Sequence, residues 1–140
     1  MNDAIFLQQA IEKAKESVAK GGFPAGAVVV KDGEVIGEGI SIGNILHDPT
    51  SHGEMAAIRN ACVAMQSSNL SECTLYASMQ PCAMCLSASG WASISKIVYA
   101  CPQEKVAKEY YGGAPVEMVH YETLERASLE VVKGWEDSLQ

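Results

Sequence analysis

Apolar residues recur at helical spacing near the start of the chain. Leu7, Ile11, Ala14 and Val18 are separated by four, three and four positions, which predicts an amphipathic helix over residues 3–20 with Asp3 as its N-cap. Two adjacent glycines follow this segment. The chain therefore begins with one helix that has a single apolar face.

Two short apolar runs, residues 27–30 and 35–36, follow the first helix. They are joined by Lys31, Asp32 and Gly33, and an Asp-Gly pair between two such runs is typical of a tight hairpin turn. We therefore predict two antiparallel strands.

The rest of the chain alternates between helical and strand patterns. A stripe at Met55, Ile58, Cys62 and Met65 predicts a helix over residues 51–65, with the hydroxyls of residues 50 and 51 as candidate caps. Further strands are expected at residues 73–77, 94–99 and 116–119, and further helices at residues 81–90, 103–111 and from 124 onwards.

This order predicts an α/β fold in one domain over residues 1–140. We expect a three-layer α/β/α sandwich around a mixed five-stranded sheet, in which an antiparallel hairpin is followed by parallel strands. In open sheets of this kind, sites form at the carboxyl ends of strands, where the following helices begin.

Two short clusters carry the candidate chemistry. His52 and Glu54 lie at the start of the second helix, and Cys82 and Cys85 lie three residues apart where the next helix begins. An imidazole and two thiolates are good zinc ligands, and a helix N-terminus favours thiolate. We predict that the two helix tips meet at one Zn²⁺ per chain.

Three protein ligands leave a fourth zinc position open to water, whose pKa the metal lowers toward about 7. Glu54 would then stand outside the ligand set as a general acid and base. Two alternatives stay open. Cys73, Cys101 or His47 would close the site as a structural fourth ligand, or Cys82 and Cys85 would form a redox pair.

Charge and composition limit the classes of partner and the compartment that we expect for this chain. The net charge is −7, and the ten basic residues are scattered, so we do not expect a nucleic-acid partner. No apolar run approaches the roughly 20 residues of a membrane span, and the N-terminus lacks a signal-peptide pattern. Five cysteines fit metal binding or free thiols in a reducing compartment, and we expect a cytoplasmic protein.

The two clusters form the pattern H-x-E followed by P-C-x-x-C, which resembles the zinc deaminases. Segments 26–33, 48–59, 75–76 and 81–85 are together similar to the cytidine-deaminase-like superfamily. Within it, the chain resembles the branch that holds bacterial guanine deaminases, fungal-type cytosine deaminases and tRNA wobble adenosine deaminases. Residues 82–99 are most similar to guanine deaminases.

The resemblance implies a zinc-dependent hydrolytic deaminase that releases ammonia from a free nucleobase or a related amino-heterocycle. Guanine is the first expected substrate and cytosine the second. A tRNA adenosine deaminase and a non-catalytic zinc-stabilised binding domain are the alternatives. The resemblance also implies a homodimer, with helices near the active site at the interface.

The chain departs from the family pattern at two positions beside the clusters. Ser41 stands where the family usually has an asparagine that holds the base, and Asn44 is the alternative for that task. Gln80 stands where guanine and tRNA adenosine deaminases usually have glutamate. Glu104 is a further candidate for contact with an exocyclic amine.

Several aromatic residues are candidates for stacking on a base. Trp135 lies in a C-terminal segment similar to the one that closes over the base in fungal cytosine deaminases, although it also completes the apolar stripe of the last helix. Phe23, Tyr110 and Tyr111 are the other candidates.

Overall fold

The computed structural model describes residues 2–108 and 113–140. Helices and strands alternate along most of this chain. The helices are α1 (Asp3–Ala19), α2 (Gly43–Leu46), α3 (Gly53–Met65), α4 (Ala83–Trp91) and α5 (Glu125–Ser138). The strands are β1 (Phe23–Lys31), β2 (Glu34–Ser41), β3 (Cys73–Met79) and β4 (Lys96–Cys101).

The described residues form one mixed sheet in the order β2-β1-β3-β4. β1 pairs antiparallel with both β2 and β3, whereas β3 and β4 are parallel. The predicted hairpin and the parallel pair are confirmed. The prediction of five strands was wrong, because the apolar run at residues 116–119 is exposed and pairs with no described strand.

Side chains of the central strand β1 alternate between two cores, one on each face of the sheet. Val28 and Val30 pack in a cluster with Ala10 of α1, whereas Ala27 and Val29 pack in a cluster with α3. Because successive strand residues point to opposite faces, a strand that is apolar throughout must be covered on both. The predicted three-layer α/β/α arrangement is confirmed.

Helix α1 faces the sheet with most of its predicted apolar stripe, since Leu7 packs against the core and Ile11 and Ala14 are partly buried, but its last turn departs from the prediction. Val18 is 53% exposed, and Ser17 is fully buried instead. Asp3 does not cap the helix: the N-cap is Asn2, and Asp3 accepts a 2.6 Å hydrogen bond from the Tyr76 hydroxyl on β3. Burial and this bond raise the pKa of Tyr76 to about 12.

The chain after β4 differs most from the prediction. In place of the helix expected over residues 103–111 the structure has a 3-10 turn at Gln103–Lys105, and residues 109–111 lie outside the described residues. From residue 113 to residue 140 every residue is exposed, including those of α5. Within the described part of the chain, no helix is both long and apolar enough to cross a bilayer.

The first turn of α3 lies directly against the hairpin, with no side chain between them. A Cβ atom added to Gly39 on β2 would lie 2.2 Å from the Gly53 carbonyl oxygen and 2.5 Å from the Ala57 nitrogen. A Cβ on Gly53 would lie 2.9 Å from the Gly26 Cα on β1. The added Cβ atoms would meet main-chain atoms, which cannot rotate away as a side chain can. The position of α3 therefore depends on the absence of a side chain at Gly39 and Gly53.

We expect Gly39→Ala to destabilise the protein by about 1–3 kcal/mol, the usual cost of overpacking, because α3 must move away from β2. Urea unfolding measures this change. Gly90→Ala is the matched control, since a Cβ at this position in α4 meets nothing within 4 Å. That control should be neutral or slightly stabilising, as alanine favours helix. Equal stability of the two variants would contradict the role given to Gly39.

Candidate active site

Two helix N-termini present the chemically active side chains. His52 is the N-cap residue of α3, and Cys82 is the N-cap residue of α4, both with extended backbone. Glu54 and Cys85 lie in the first turns of these two helices. The N-termini of α3 and α4 therefore converge, as predicted.

A hydrogen-bonded turn before α3 directs the chain into His52. The Thr50 backbone N–H and hydroxyl both donate to Asp48 Oδ1, at 2.9 and 2.6 Å, and the Ser51 N–H donates to the Asp48 carbonyl oxygen. This is the local turn that aspartate side chains favour. The prediction that the hydroxyls of residues 50 and 51 cap α3 was wrong, because no side chain caps this helix.

His52, Cys82 and Cys85 form a triangle of ligand atoms. His52 Nδ1 lies 3.5 Å from each sulfur, and the two sulfurs are 3.7 Å apart. Tetrahedral zinc with ordinary bond lengths would separate its ligands by about 3.6 Å for nitrogen and sulfur, and about 3.8 Å for two sulfurs. The three side chains are therefore spaced to hold one zinc ion.

The three residues proposed for a closed structural site do not join this triangle. Among residues 2–108 and 113–140, the only group of histidine, cysteine or acidic ligand atoms close enough to share an ion is His52, Cys82 and Cys85. Cys73 is buried in the core beside α3, Cys101 lines an apolar groove, and His47 is exposed. The described residues thus leave the fourth position of a tetrahedral ion open.

The two thiols differ in acidity because they are in contact. The neighbouring Cys85 thiol lowers the pKa of Cys82 to about 4, and His52 acts in the same direction. The same contact, together with burial, raises the pKa of Cys85. The hydrogen bond with Cys82 also raises the pKa of His52. Both thiols must lose their protons to bind a metal, and these contacts favour that loss at Cys82 more than at Cys85.

Glu54 is a buried carboxyl group beside the triangle. Its residue is only 4% exposed, and burial raises its pKa to about 7. The Cys82 thiolate raises it further, while His52 lowers it. Near neutral pH the group can therefore both accept and donate a proton, as general acid–base catalysis requires.

A cavity of about 720 Å³ opens in front of these groups. Its polar lining includes Ser41, Asn44, His52 and Glu54. Its apolar lining comes from Phe23, Pro24, Pro49, Met79 and Met84. A mostly apolar cavity with a few convergent polar groups is the usual form of a small-molecule site.

The two candidates for the role of the family's asparagine both line this cavity. Ser41 is 5% exposed, and its hydroxyl has no hydrogen-bond partner within the described part of the chain. Asn44 is exposed at the rim, where its Nδ2 donates a 2.9 Å hydrogen bond to the Gly21 carbonyl oxygen. The side-chain oxygen of Asn44 is an acceptor, and one of its two Nδ2 hydrogens is engaged by Gly21.

Sequence reasoning missed Ser17, which holds in place the main chain of two residues that line the cavity, Phe23 and Ser41. Its hydroxyl lies 2.6 Å from the Phe23 carbonyl oxygen and 3.0 Å from that of Ser41, and it accepts from the Ser41 N–H at 3.1 Å. The sequence shows its place on the helix face of Ala10 and Ala14, but not its burial or its hydrogen-bond partners. Ser17 ties the end of α1 to both Phe23 and Ser41.

The other predicted substrate contacts lie elsewhere. Gln80 and Glu104 line a neighbouring cavity of about 960 Å³ that shares Cys82 with the first. Trp135, on α5, is 61% exposed and lines none of the cavities described here. Phe23 does line the main cavity, whereas Tyr110 and Tyr111 lie outside the described residues.

Residues 1–101 match the family model for the cytidine and deoxycytidylate deaminase zinc-binding region. The chain is 43% identical over 109 residues to guanine deaminase of Bacillus subtilis, covering 77% of this chain and 70% of the relative. It is 37% identical over 105 residues to the tRNA-specific adenosine deaminase of Aquifex aeolicus, covering 75% and 70%.

Solved structures agree with this result. The X-ray structure of guanine deaminase from Bacillus subtilis superposes with a TM-score of 0.81, at 33% identity, and covers 98% of this chain and 95% of that one. A structure of a tRNA:A34 deaminase superposes with a TM-score of 0.71 at 33% identity, over 78% and 79% of the two chains.

The family model describes a zinc-binding region, and His52, Cys82 and Cys85 are positioned to bind one metal ion, which favours a zinc site over a redox pair. The matched region contains His52, Glu54, Cys82 and Cys85. The chain belongs to the cytidine and deoxycytidylate deaminase zinc-binding family.

Proposed function

We propose that this chain is a zinc-dependent aminohydrolase of a free nucleobase or related amino-heterocycle, with guanine the first substrate and cytosine the second. The observation that carries this proposal is a buried carboxyl group, Glu54, that faces a largely apolar cavity beside a three-ligand zinc site. The similarity to guanine deaminase ranks guanine first.

His52, Cys82 and Cys85 would hold the zinc ion. When bound, zinc supplies a water of lowered pKa and an electrophile beside the substrate. The two thiolates and neutral imidazole balance the charge of the ion. The N-terminus of α4 stabilises the thiolates through its dipole. Glu54 is not in the ligand group, so its carboxyl group is available for proton transfer.

Glu54 carries protons between water and the substrate. It accepts a proton from the attacking water and delivers it to the ring nitrogen next to the amino-bearing carbon. The carbon–oxygen bond forms, and Glu54 then takes the remaining proton of the added hydroxyl and donates it to the departing amine, so that the carbon–nitrogen bond breaks as the carbon–oxygen double bond forms. Water and the amino-heterocycle become the oxo-heterocycle and ammonia. A pKa of about 7 suits a group that must both accept and donate a proton.

Ser41 and Asn44 are the proposed polar contacts for the ring, and Phe23 is the proposed apolar one. The Ser41 hydroxyl can donate or accept one hydrogen bond, whereas the Asn44 oxygen can only accept. A heterocycle with ring N–H or amino donors on the side away from the metal fits this wall. Buried polar groups of this kind discriminate strongly, because the wrong ligand leaves them without partners.

Deamination of adenosine in tRNA is the second candidate, because the chain is 37% identical to a tRNA-specific adenosine deaminase. A net charge of −7 weighs against a polyanionic substrate. Affinity for nucleic acid comes mainly from lysine and arginine that neutralise phosphates. We therefore rank this candidate below the free bases.

We expect Glu54→Gln to lower the deamination rate by about 10²- to 10⁴-fold, the usual contribution of a general acid–base. The variant should still bind one zinc per chain, because Glu54 is not a ligand. Ammonia release and elemental analysis measure the two properties. A non-catalytic binding domain would instead lose nothing on this substitution, and that result would overturn the proposed mechanism.

A panel of guanine, cytosine, adenine, isoguanine and amino-triazines tests the substrate. We expect ammonia release to be fastest with guanine, and Glu54→Gln serves as the blank for each compound. Unmodified tRNA with an adenosine at the wobble position completes the panel. Activity on that tRNA alone would reverse the ranking, and activity on cytosine above guanine would exchange the first two candidates.

We also propose that the protein is a homodimer with α3 and α4 at its interface. Large apolar side chains are exposed on this side: Val63 on α3, and Leu86 and Trp91 on α4. Trp91 is 89% exposed, which is unusual for so large an apolar group unless a partner covers it. Contact between copies at α4 would also lie close to the metal ligands.

Sedimentation should give twice the mass of one chain for the wild type. Trp91→Ser should shift the equilibrium toward the monomer, because it removes the large, 89% exposed apolar side chain at the end of α4. Trp135→Ser on α5 is the matched control and should leave the dimer intact. If Trp135→Ser dissociates the dimer and Trp91→Ser does not, the interface is on the C-terminal helix instead.

A further inference from the structure

Cys82 differs from the other cysteine ligand in how the fold holds it. Cys85 is fully buried within the first turn of α4, where its carbonyl oxygen accepts a hydrogen bond from the Ser89 hydroxyl. Cys82 is half-buried and precedes the helix as its N-cap. The position of its sulfur therefore depends on the short turn that connects β3 to α4.

Pro81 is the buried residue in this turn, directly before Cys82. Proline has no N–H, so the only main-chain group of Pro81 that can be held by a hydrogen bond is its carbonyl. This carbonyl lies outside the helix ladder, which begins with the Leu86 N–H donating to the Cys82 oxygen. Burial requires that it find a partner elsewhere.

Gln103 provides that partner from the other side of the sheet edge. Its side-chain Nε2 donates a 2.8 Å hydrogen bond to the Pro81 carbonyl oxygen. Its backbone N–H donates a 3.0 Å hydrogen bond to Oε1 of Gln80, the residue before Pro81. One glutamine thus contacts both residues of the turn that leads to Cys82.

A third hydrogen bond links the same turn to β4. The Gln80 N–H donates to the Cys101 carbonyl oxygen at 2.7 Å, one step beyond the last paired residues of β3 and β4, Met79 and Cys101. We call these three hydrogen bonds the glutamine brace. The brace extends the β3–β4 pairing past the end of the strands and as far as the residue that precedes a metal ligand.

We propose that Gln103 is a positioning residue for the zinc ligand Cys82, acting through the Pro81 carbonyl and the side chain of Gln80. This assigns Gln80 to the support of the metal site. A glutamate at position 80 would keep the acceptor oxygen that the Gln103 N–H requires. The proposal rests on the zinc site and is independent of which heterocycle is deaminated.

Gln103→Leu tests the proposal, because leucine is of similar size, removes the side-chain amide that donates to Pro81 and keeps the backbone N–H that donates to Gln80. We expect its zinc affinity to fall by about 10- to 100-fold, the usual effect of removing a group that orients a metal ligand. Competition between the zinc-loaded protein and a chromogenic chelator measures this. Gln80→Leu, which removes the acceptor, should weaken zinc binding in the same range.

Two control variants accompany these measurements. Gln80→Glu keeps the acceptor and should retain the wild-type affinity. Gln8→Leu replaces an exposed glutamine of α1 that bonds only to Glu12, and it should also have no effect. The Gln80→Leu/Gln103→Leu double variant should lose little more affinity than either single variant, since residues of one network are not additive.

A spectroscopic measurement separates positioning from a general structural role. In the cobalt-substituted protein, the absorption bands that arise from thiolate coordination and tetrahedral geometry should weaken or shift in Gln103→Leu and stay unchanged in Gln80→Glu. Far-UV circular dichroism of the zinc-loaded variants should match the wild type.

Wild-type zinc affinity and cobalt spectra in Gln103→Leu would overturn the proposal. A variant that fails to fold with zinc present would overturn it as well, because the brace would then serve the fold and not the ligand. Neither readout uses a substrate, so failure of the proposed substrate would leave this result unaffected.

Discussion

The contact between the first turn of α3 and the hairpin β1–β2 is the constraint on which the site depends. Gly39 and Gly53 allow main chain to lie against main chain, and a methyl group at either position would enter occupied space. This packing determines where α3 begins, and therefore where His52 and Glu54 point. The metal site is thus built on a close-packed part of the sheet, where small displacements are resisted.

The zinc ligands and Glu54 have opposite electrostatic requirements. The zinc ligands must lose their protons, which the N-terminus of α4 and their mutual contacts favour at Cys82. Glu54 must keep a proton available, which burial favours by raising its pKa to about 7. The same low-polarity surroundings serve both groups because burial outweighs the opposing effects of His52 and a backbone hydrogen bond at Glu54, whereas the contacts with Cys85 and His52 outweigh burial at Cys82.

The metal ligands could be predicted from sequence because their chemistry and spacing are local. Two cysteines three residues apart at a helix start, and a histidine at another, identify a zinc site once helix tips are placed at the carboxyl edge of the sheet. The order of layers followed from alternation of strand and helix patterns in the same way. Neither step required knowledge of a distant contact.

The features that could not be predicted depend on such contacts. Ser17 and Val18 both lie near the apolar face of α1, and burial fell to Ser17 because the carbonyl oxygens of Phe23 and Ser41 needed a donor. Residues 116–119 have a strand-like pattern, but a pattern does not supply a strand with a partner in the sheet. The side-chain oxygen of Gln80 could accept a hydrogen bond from a substrate base or from a backbone N–H. Only the structure shows that it accepts from the Gln103 N–H.

The metal site and the substrate wall consequently respond differently to sequence change. The zinc ligands come from two helix starts, whereas the cavity wall is assembled from Phe23, Ser41 and Asn44 on separate segments. Changing one wall residue alters which hydrogen bonds a heterocycle can make and leaves the ligand triangle in place. Relatives named for guanine and for tRNA adenosine both align with about three quarters of this chain, at 43% and 37% identity. We therefore expect the choice of substrate to follow from a few hydrogen-bonding atoms on the cavity wall, such as the Ser41 hydroxyl, more than from overall identity.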